Sequence, residues 1–196
     1  MSKGKLTKEN ILKTAFHVAS QDGLESLTIG ELARHCSMSK SGLYAHFNSK
    51  ENLQVTVIEY ANLIFAQRVV EPARTKYSDD IEAKIRLLLE NWLTWNHSFQ
   101  GSCMFLDAWR SDAEEGNAIQ KSLVAGIEKW LHYLEIQVEK AKEQNIFMVD
   151  LDAKQAVFQL YGAYLSSQLF YSVEGEQVSR ERFWLSVNFL FDHWRK

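Results

Sequence analysis

The run Thr28-Ile-Gly-Glu-Leu-Ala-Arg-His-Cys-Ser-Met-Ser-Lys-Ser-Gly-Leu-Tyr-Ala-His-Phe-Asn-Ser-Lys50 decides the fold, because it holds three helix starts within twenty-three residues. Thr28 and Glu31 form a capping-box pattern, with the threonine hydroxyl at the cap and the carboxylate three positions on. Ile29, Leu32 and Ala33 give the helix that follows one apolar stripe, which ends near His35 and Cys36. Ser39 supplies a second N-cap after a turn of about four residues, and Ser49 a third. The spacing of Leu43, Phe47 and Leu53 packs the second short helix on its neighbours and leaves Lys40, Ser41, Tyr44 and His46 outside. Two helices at a tight turn, the second bearing small, hydroxylated and basic residues at its start, is the geometry that enters a DNA major groove.

The runs "LTIGELA" and "MSKSGLYAHFNSKENL", ending where a long fourth helix begins, resemble the N-terminal domain of the TetR family of transcriptional regulators. The likeness spans residues 7 to about 70, and the remainder has the length and dimer-like ending of that family. It implies that Tyr44 and His46 contact the DNA backbone. Ser41-Gly42 stands where members often carry glycine followed by threonine or serine, and Ala45 where they often carry an aromatic or basic residue, so no operator sequence transfers. From the residues themselves, Thr28 and Lys50 are placed for phosphates, and Ser39, Lys40 and Ser41 for base edges. Gly42 costs about 1 kcal/mol in a helix relative to alanine, and close backbone approach to DNA is a physical reason to keep it.

Composition agrees with an all-α chain. In 196 residues there are one proline and nine glycines, and the Val/Ile/Thr runs lack the alternation of strands. No apolar run approaches the roughly 20 residues of a membrane span, and MSKGKLTKEN has no signal-peptide core, so a cytoplasmic protein without membrane contact is expected. Cys36 and Cys103 show no metal-ligand spacing; reduced thiols, with no metal and no cofactor, are expected. The net charge of −3 conceals an asymmetry, since residues 1–50 hold seven Lys/Arg against four Asp/Glu and the rest fifteen against twenty-one. An acidic body thus carries a basic head.

The expected organisation is a helix-turn-helix domain over residues 1–50, linked through a helix of about 50–71 to a ligand-binding and dimerisation domain over 51–196. Met1 to Leu6 reads as an irregular basic end, Thr7 as the cap of the first helix, Gly23 as its stop, and Pro72 as the end of the fourth helix. Asp79 and Asp80 open a helix rich in aromatics, after which "GSCMFL" resembles a motif at the start of the sixth helix in part of the family. Trp92, Trp95, Asn96, Phe99, Cys103, Phe105, Trp109, Trp130 and Tyr133 are candidates to line an apolar effector pocket. A closed aromatic core produces the same pattern, which keeps a ligand-independent DNA-binding or interaction protein as the alternative.

A helix over about 117–145 packs inward, Asp152 with Gln155 opens the next, and Ser179 is expected to cap the last. The final two helices are apolar beyond one stripe, so Tyr161, Tyr164, Leu165, Trp184, Val187, Phe191 and Trp194 are expected at a two-fold homodimer interface. No phosphate loop, HExxH or GxSxG stands in the chain, and an enzyme is not expected. The reading that follows is a DNA-binding regulator. The resemblance implies a repressor freed from a palindromic double-stranded operator when a small apolar or aromatic effector shifts the fourth helix.

Overall fold

The computed structural model describes residues 3–97 and 117–195, and every regular element among them is helical. In chain order these are α1 (Lys3–Asp22), a 3-10 turn (Leu24–Ser26), α2 (Ile29–His35), α3 (Lys40–Phe47) and α4 (Lys50–Phe65). A π-helical turn (Ala66–Val70), α5 (Glu71–Lys76), α6 (Ile81–His97), α7 (Ala118–Glu143), α8 (Ala153–Glu174) and α9 (Glu176–Trp194) follow. The described residues fall into two compact units. One holds α1 to α4 with α7 up to Ile127; the other holds the π turn, α5, α6, α7 from Glu128, α8 and α9.

In the first unit, Ile11, Ala15 and Ala19 of α1, Leu32 of α2, Leu43 and Phe47 of α3, and Leu53, Val57 and Ala61 of α4 are buried. Their i, i+3/i+4 spacing is why each short segment is helical only in company: helices of seven or eight residues do not hold alone in water. Gly23, at φ +82°, stops α1 as its lack of a Cβ permits. The start of α1 differs from expectation. It begins at Lys3 rather than behind Thr7, so most of the basic end is helix.

The second unit corrects two further boundaries. α4 ends at Phe65, and Pro72 opens α5 instead of closing α4, because a proline in the first helical turn loses no hydrogen bond. The π turn between them is held by Asn91, whose side-chain amide donates to the Val69 carbonyl at 3.1 Å. Ser179 caps nothing. Gly175, at φ +87°, ends α8 and begins α9, and the buried Ser179 hydroxyl donates across to the Ser167 carbonyl at 2.6 Å. Asp152 does cap α8, accepting from the amides of Lys154 and Gln155. The core of this unit is Ile85, Leu88, Leu89 and Trp92 of α6, Leu134, Val138 and Ala141 of α7, Leu160 and Tyr164 of α8, and Phe183, Val187, Phe191 and Trp194 of α9.

Candidate nucleic-acid interface

The turn that sets α3 against α2 is built by backbone hydrogen bonds, with Met38 donating its amide to the Ala33 carbonyl at 3.0 Å and Cys36 to that of Leu32 at 2.9 Å. Ser37 sits between them at φ +51°, the left-handed residue that closes a helix C-terminus. Thr28 accepts from the Glu31 amide at 3.1 Å. Only half of the expected capping box forms, since the Glu31 carboxylate turns to Arg34 and, at 3.4 Å, to His35. Ser39 caps α3 by accepting from the Gly42 amide at 3.1 Å, and its hydroxyl lies 3.1 Å from that of Ser41. Ser49 accepts likewise from Asn52 at 3.0 Å. Burial raises the pKa of the Cys36 thiol, and the Thr14 hydroxyl beside it offsets part of the rise.

α3 has two distinct faces. Leu43 and Phe47 are 0% and 1% exposed, whereas Ser39, Lys40, Ser41, Tyr44 and His46 are all on the surface, Tyr44 at 57%. Thr28 and Lys50 are exposed as well, and Gly42 is half-buried. A Cβ on Gly42 would stand 3.1 Å from the Ser39 hydroxyl, so a local reason for this glycine exists: it leaves room for the cap. Two contacts escaped the sequence reading. The Lys40 side chain lies over Gly30 on α2, and the Lys50 ammonium is held by the Glu25 carboxylate at 3.1 Å. Nothing in the spacing of Glu25 and Lys50 signals that pair, because they meet only after α1, α2 and α4 assemble.

The comparisons with known proteins bear on both units. The model described as "Bacterial regulatory proteins, tetR family" matches residues 11–55, and "Tetracyclin repressor-like, C-terminal domain" matches residues 82–187, more than half of the chain. The chain belongs to the TetR family. Its family and fold are those of transcriptional regulators, with an N-terminal helix-turn-helix domain and a C-terminal helical domain. An uncharacterized HTH-type transcriptional regulator of Bacillus subtilis (strain 168), YerO, is 42% identical over 53 residues, which are 27% of this chain and 18% of that protein. A second from the same organism, YuxN, is 36% identical over 50 residues, 26% of this chain and 17% of that protein. The chain thus spans under a fifth of the length of the curated relatives it matches.

Solved TetR-family structures share this fold. A regulator from Streptomyces coelicolor aligns with TM-score 0.83 at 16% identity, covering 97% of this chain and 96% of that one. One from Cytophaga hutchinsonii aligns with TM-score 0.81 at 18% identity, covering 100% and 98%.

Within this TetR-family chain, the residues expected to line an effector pocket divide into three groups. Trp92, Trp95 and Trp130 are buried and Tyr133 is half-buried. Asn96 lies in α6, its side chain outside the described set, and Phe99, Cys103, Phe105 and Trp109 fall outside the described residues altogether. Trp92 is the hub: it stacks on Tyr164 with ring centroids 3.7 Å apart and planes 13° apart, and meets Trp130 edge-on at 5.3 Å and Tyr161 at 5.1 Å. Burial raises the pKa of the Tyr133 phenol, with Arg74 opposing.

The expected dimer surface needs correction. Tyr164, Val187, Phe191 and Trp194 are each at most 1% exposed within one protomer, so these four belong to the chain's own core, and Tyr161 is half-buried with its ring 5.1 Å from that of Trp92. Trp184 is half-buried and its indole N–H donates to Glu90 at 3.0 Å. Only Leu165 of the seven is an exposed apolar residue. Both helices are apolar on two sides, and the more regular stripe is the one that faces inward. The outward side carries Phe158, Leu169 and Val173 of α8 with Leu185 and Phe189 of α9, between 64% and 73% exposed.

Proposed function

We propose that the protein is a homodimeric repressor, acting in the cytoplasm, that leaves a palindromic operator when a small apolar or aromatic molecule binds the domain formed by residues 51–196. The observation that carries the DNA half is the two-sided α3, with Leu43 and Phe47 buried and Ser39, Lys40, Ser41, Tyr44 and His46 exposed on one short, capped helix. In this reading residues 1–50 are the head. Ser39, Lys40 and Ser41 reach base edges, Gly42 permits close approach, and Thr28, Tyr44, His46 and Lys50 hold phosphates.

Dimerisation is supported by the exposed apolar side of α8 and α9, which includes Phe158, Leu165, Leu169, Leu185 and Phe189. Two such faces related by a two-fold axis would bury one another and present two heads to two half-sites about 34–36 Å apart. Among the described residues no helix is long and apolar enough to cross a membrane, which accords with a cytoplasmic place of action.

A ligand-independent regulator remains the second reading, favoured by the close stacking of Trp92 on Tyr164, as in a filled core. Thermal melts with a panel of aromatic and aliphatic compounds separate the two, since a ligand that binds the folded state raises the melting temperature with the logarithm of its concentration over Kd. Stabilisation by a compound that also releases DNA supports the effector reading. A melting temperature unmoved by the whole panel, with DNA binding intact, favours the closed core.

A further inference from the structure

The second unit engages its described arginines on α6, on α9 and just after α9 with carboxylates: Arg86 with Glu82, Arg180 with Glu90, Arg182 with Glu174, and Arg195 with Glu82 and Asp192. Three of the unit's cations that lack such a partner lie together. Arg74 on α5, Lys84 on α6 and Lys140 on α7 make no ion pair among the described residues, yet lie near enough for Lys140 and Arg74 to act on Lys84. Lys84 occupies the inward stripe of α6, between Ile81 and Leu88, and is only 8% exposed. Covering a lysine side chain without an ion pair has a cost, which the Asp79 carboxylate offsets only in part. Desolvation depresses its pKa, Lys140 and Arg74 add to the effect, and Asp79 alone opposes it.

The facing helix repeats the theme. Trp92 of α6 meets Trp130 of α7, and Lys84 senses Lys140, so residue numbers fall along one helix as they rise along the other. The two run antiparallel. Counting back from Trp92 to Lys84 and on from Trp130 to Gln137 brings both helices to a common level, about 10–12 Å along the axis. Gln137 is 2% exposed; its amide N–H donates to the Tyr133 carbonyl at 3.1 Å, and its oxygen has no donor. Tyr133, Gln137 and Lys140, at i, i+4 and i+7, share one face of α7. A largely covered lysine with no ion pair and a buried acceptor with no donor thus stand at one end of the aromatic cluster, with two exposed cations near the lysine.

We propose that Lys84, with Arg74 and Lys140 at the rim, binds the carboxylate head of an amphiphilic anion whose apolar body extends along α6 toward Trp92 and Trp130. The Gln137 oxygen accepts from a hydroxyl of that molecule or from a water bound with it. This assignment rests on the C-terminal domain being the effector-binding part, and it names the effector's chemical class: a small apolar or aromatic monocarboxylate.

Calorimetric titration of the full-length protein with 1-naphthoate and decanoate, against 1-naphthalenemethanol and decanol as uncharged matches, tests it. The expected result is that at least one carboxylate binds about tenfold or more tighter than its alcohol. Lys84→Met should abolish that preference, Lys84→Arg should keep most of it, and Lys129→Met, at an exposed site on α7, should leave it unchanged. Lys84→Met replaces a buried charge by an apolar side chain of similar length, so a melting temperature at or above that of the parent will show that the fold is intact. Equal affinity for acid and alcohol, no binding of either carboxylate up to about 1 mM, or a preference that survives Lys84→Met overturns the proposal. DNA retention in the same samples separates it from the effector reading. Lys84-dependent binding that leaves DNA affinity unchanged sustains the anion site and removes the effector role; release by the alcohols alone does the reverse.

Discussion

The side-chain amide of Gln54, in α4, donates to the carbonyl of Leu24 at 2.8 Å, and both residues are buried. That carbonyl belongs to the 3-10 turn between α1 and α2, so one hydrogen bond ties α4 into the helix-turn-helix head. Gln54→Leu keeps the volume and strands the carbonyl, which should cost about 1–3 kcal/mol. Denaturant melts should show the loss, and a change within about 0.5 kcal/mol would mean that the carbonyl finds another donor.

On the DNA side, charge bookkeeping predicts opposite signs for two neighbours. Lys50 is shared with Glu25 at 3.1 Å, so Glu25→Gln should release the ammonium for a phosphate, tightening non-specific binding and steepening the salt dependence by about one unit of slope. Lys50→Ala should do the reverse. Lys40→Ala should instead weaken specific more than non-specific binding; equal losses on both would move Lys40 to the phosphate class.

Ser39→Ala removes the acceptor of the Gly42 amide and should cost about 1 kcal/mol of stability. Ser39→Asp restores a capping oxygen while adding a negative charge toward DNA. It should recover the melting temperature and lose operator affinity, and recovery of both would remove Ser39 from the DNA-contacting set.

The head was legible because caps and turns are local. Thr28, Ser39, Ser49 and Asp152 each cap the helix that the sequence assigns to them, since a side-chain oxygen two or three residues from an amide needs no tertiary partner. The errors arose where distant packing decides. Ser179 has the composition of a cap but spends its hydroxyl on Ser167, and the real boundary is the left-handed Gly175. Likewise α8 and α9 each carry apolar residues on two sides, and a 3.6-residue period cannot say which of the two a partner helix covers. Phe191 and Phe189 look alike in sequence; one is 0% exposed and the other 73%.

That difference makes the association surface testable. Leu185→Glu with Phe189→Glu places charges on the exposed side and should yield a monomer in sedimentation, with its thermal stability as a protomer kept and its DNA affinity greatly reduced. Because the sites are already exposed in the protomer, an unfolded product would contradict their placement. A dimer that persists would put the interface elsewhere.

Acid should loosen the end of α9. Glu82 accepts from Arg195 at 2.5 Å and from Arg86 at 2.9 Å. Partial burial works to raise its pKa, but the two guanidiniums outweigh that and hold it below the ordinary value. A carboxylate with a depressed folded pKa contributes stability that is complete above the ordinary glutamate value, about 4.3, and is lost as pH falls through the lower folded value. Glu82→Gln should therefore lower stability at neutral pH and flatten its decline below about pH 4. Parallel acid profiles for parent and variant would show that the pair contributes nothing to the linkage.

Selection of genomic DNA fragments by the purified full-length protein, followed by titration at two salt concentrations, tests the central claim most directly. A dimer reading operators through two heads should enrich a palindromic site and bind it with a salt dependence of on the order of six or more phosphate contacts. Enrichment of no preferred sequence by an intact dimer, with binding equal on all fragments, would contradict the account.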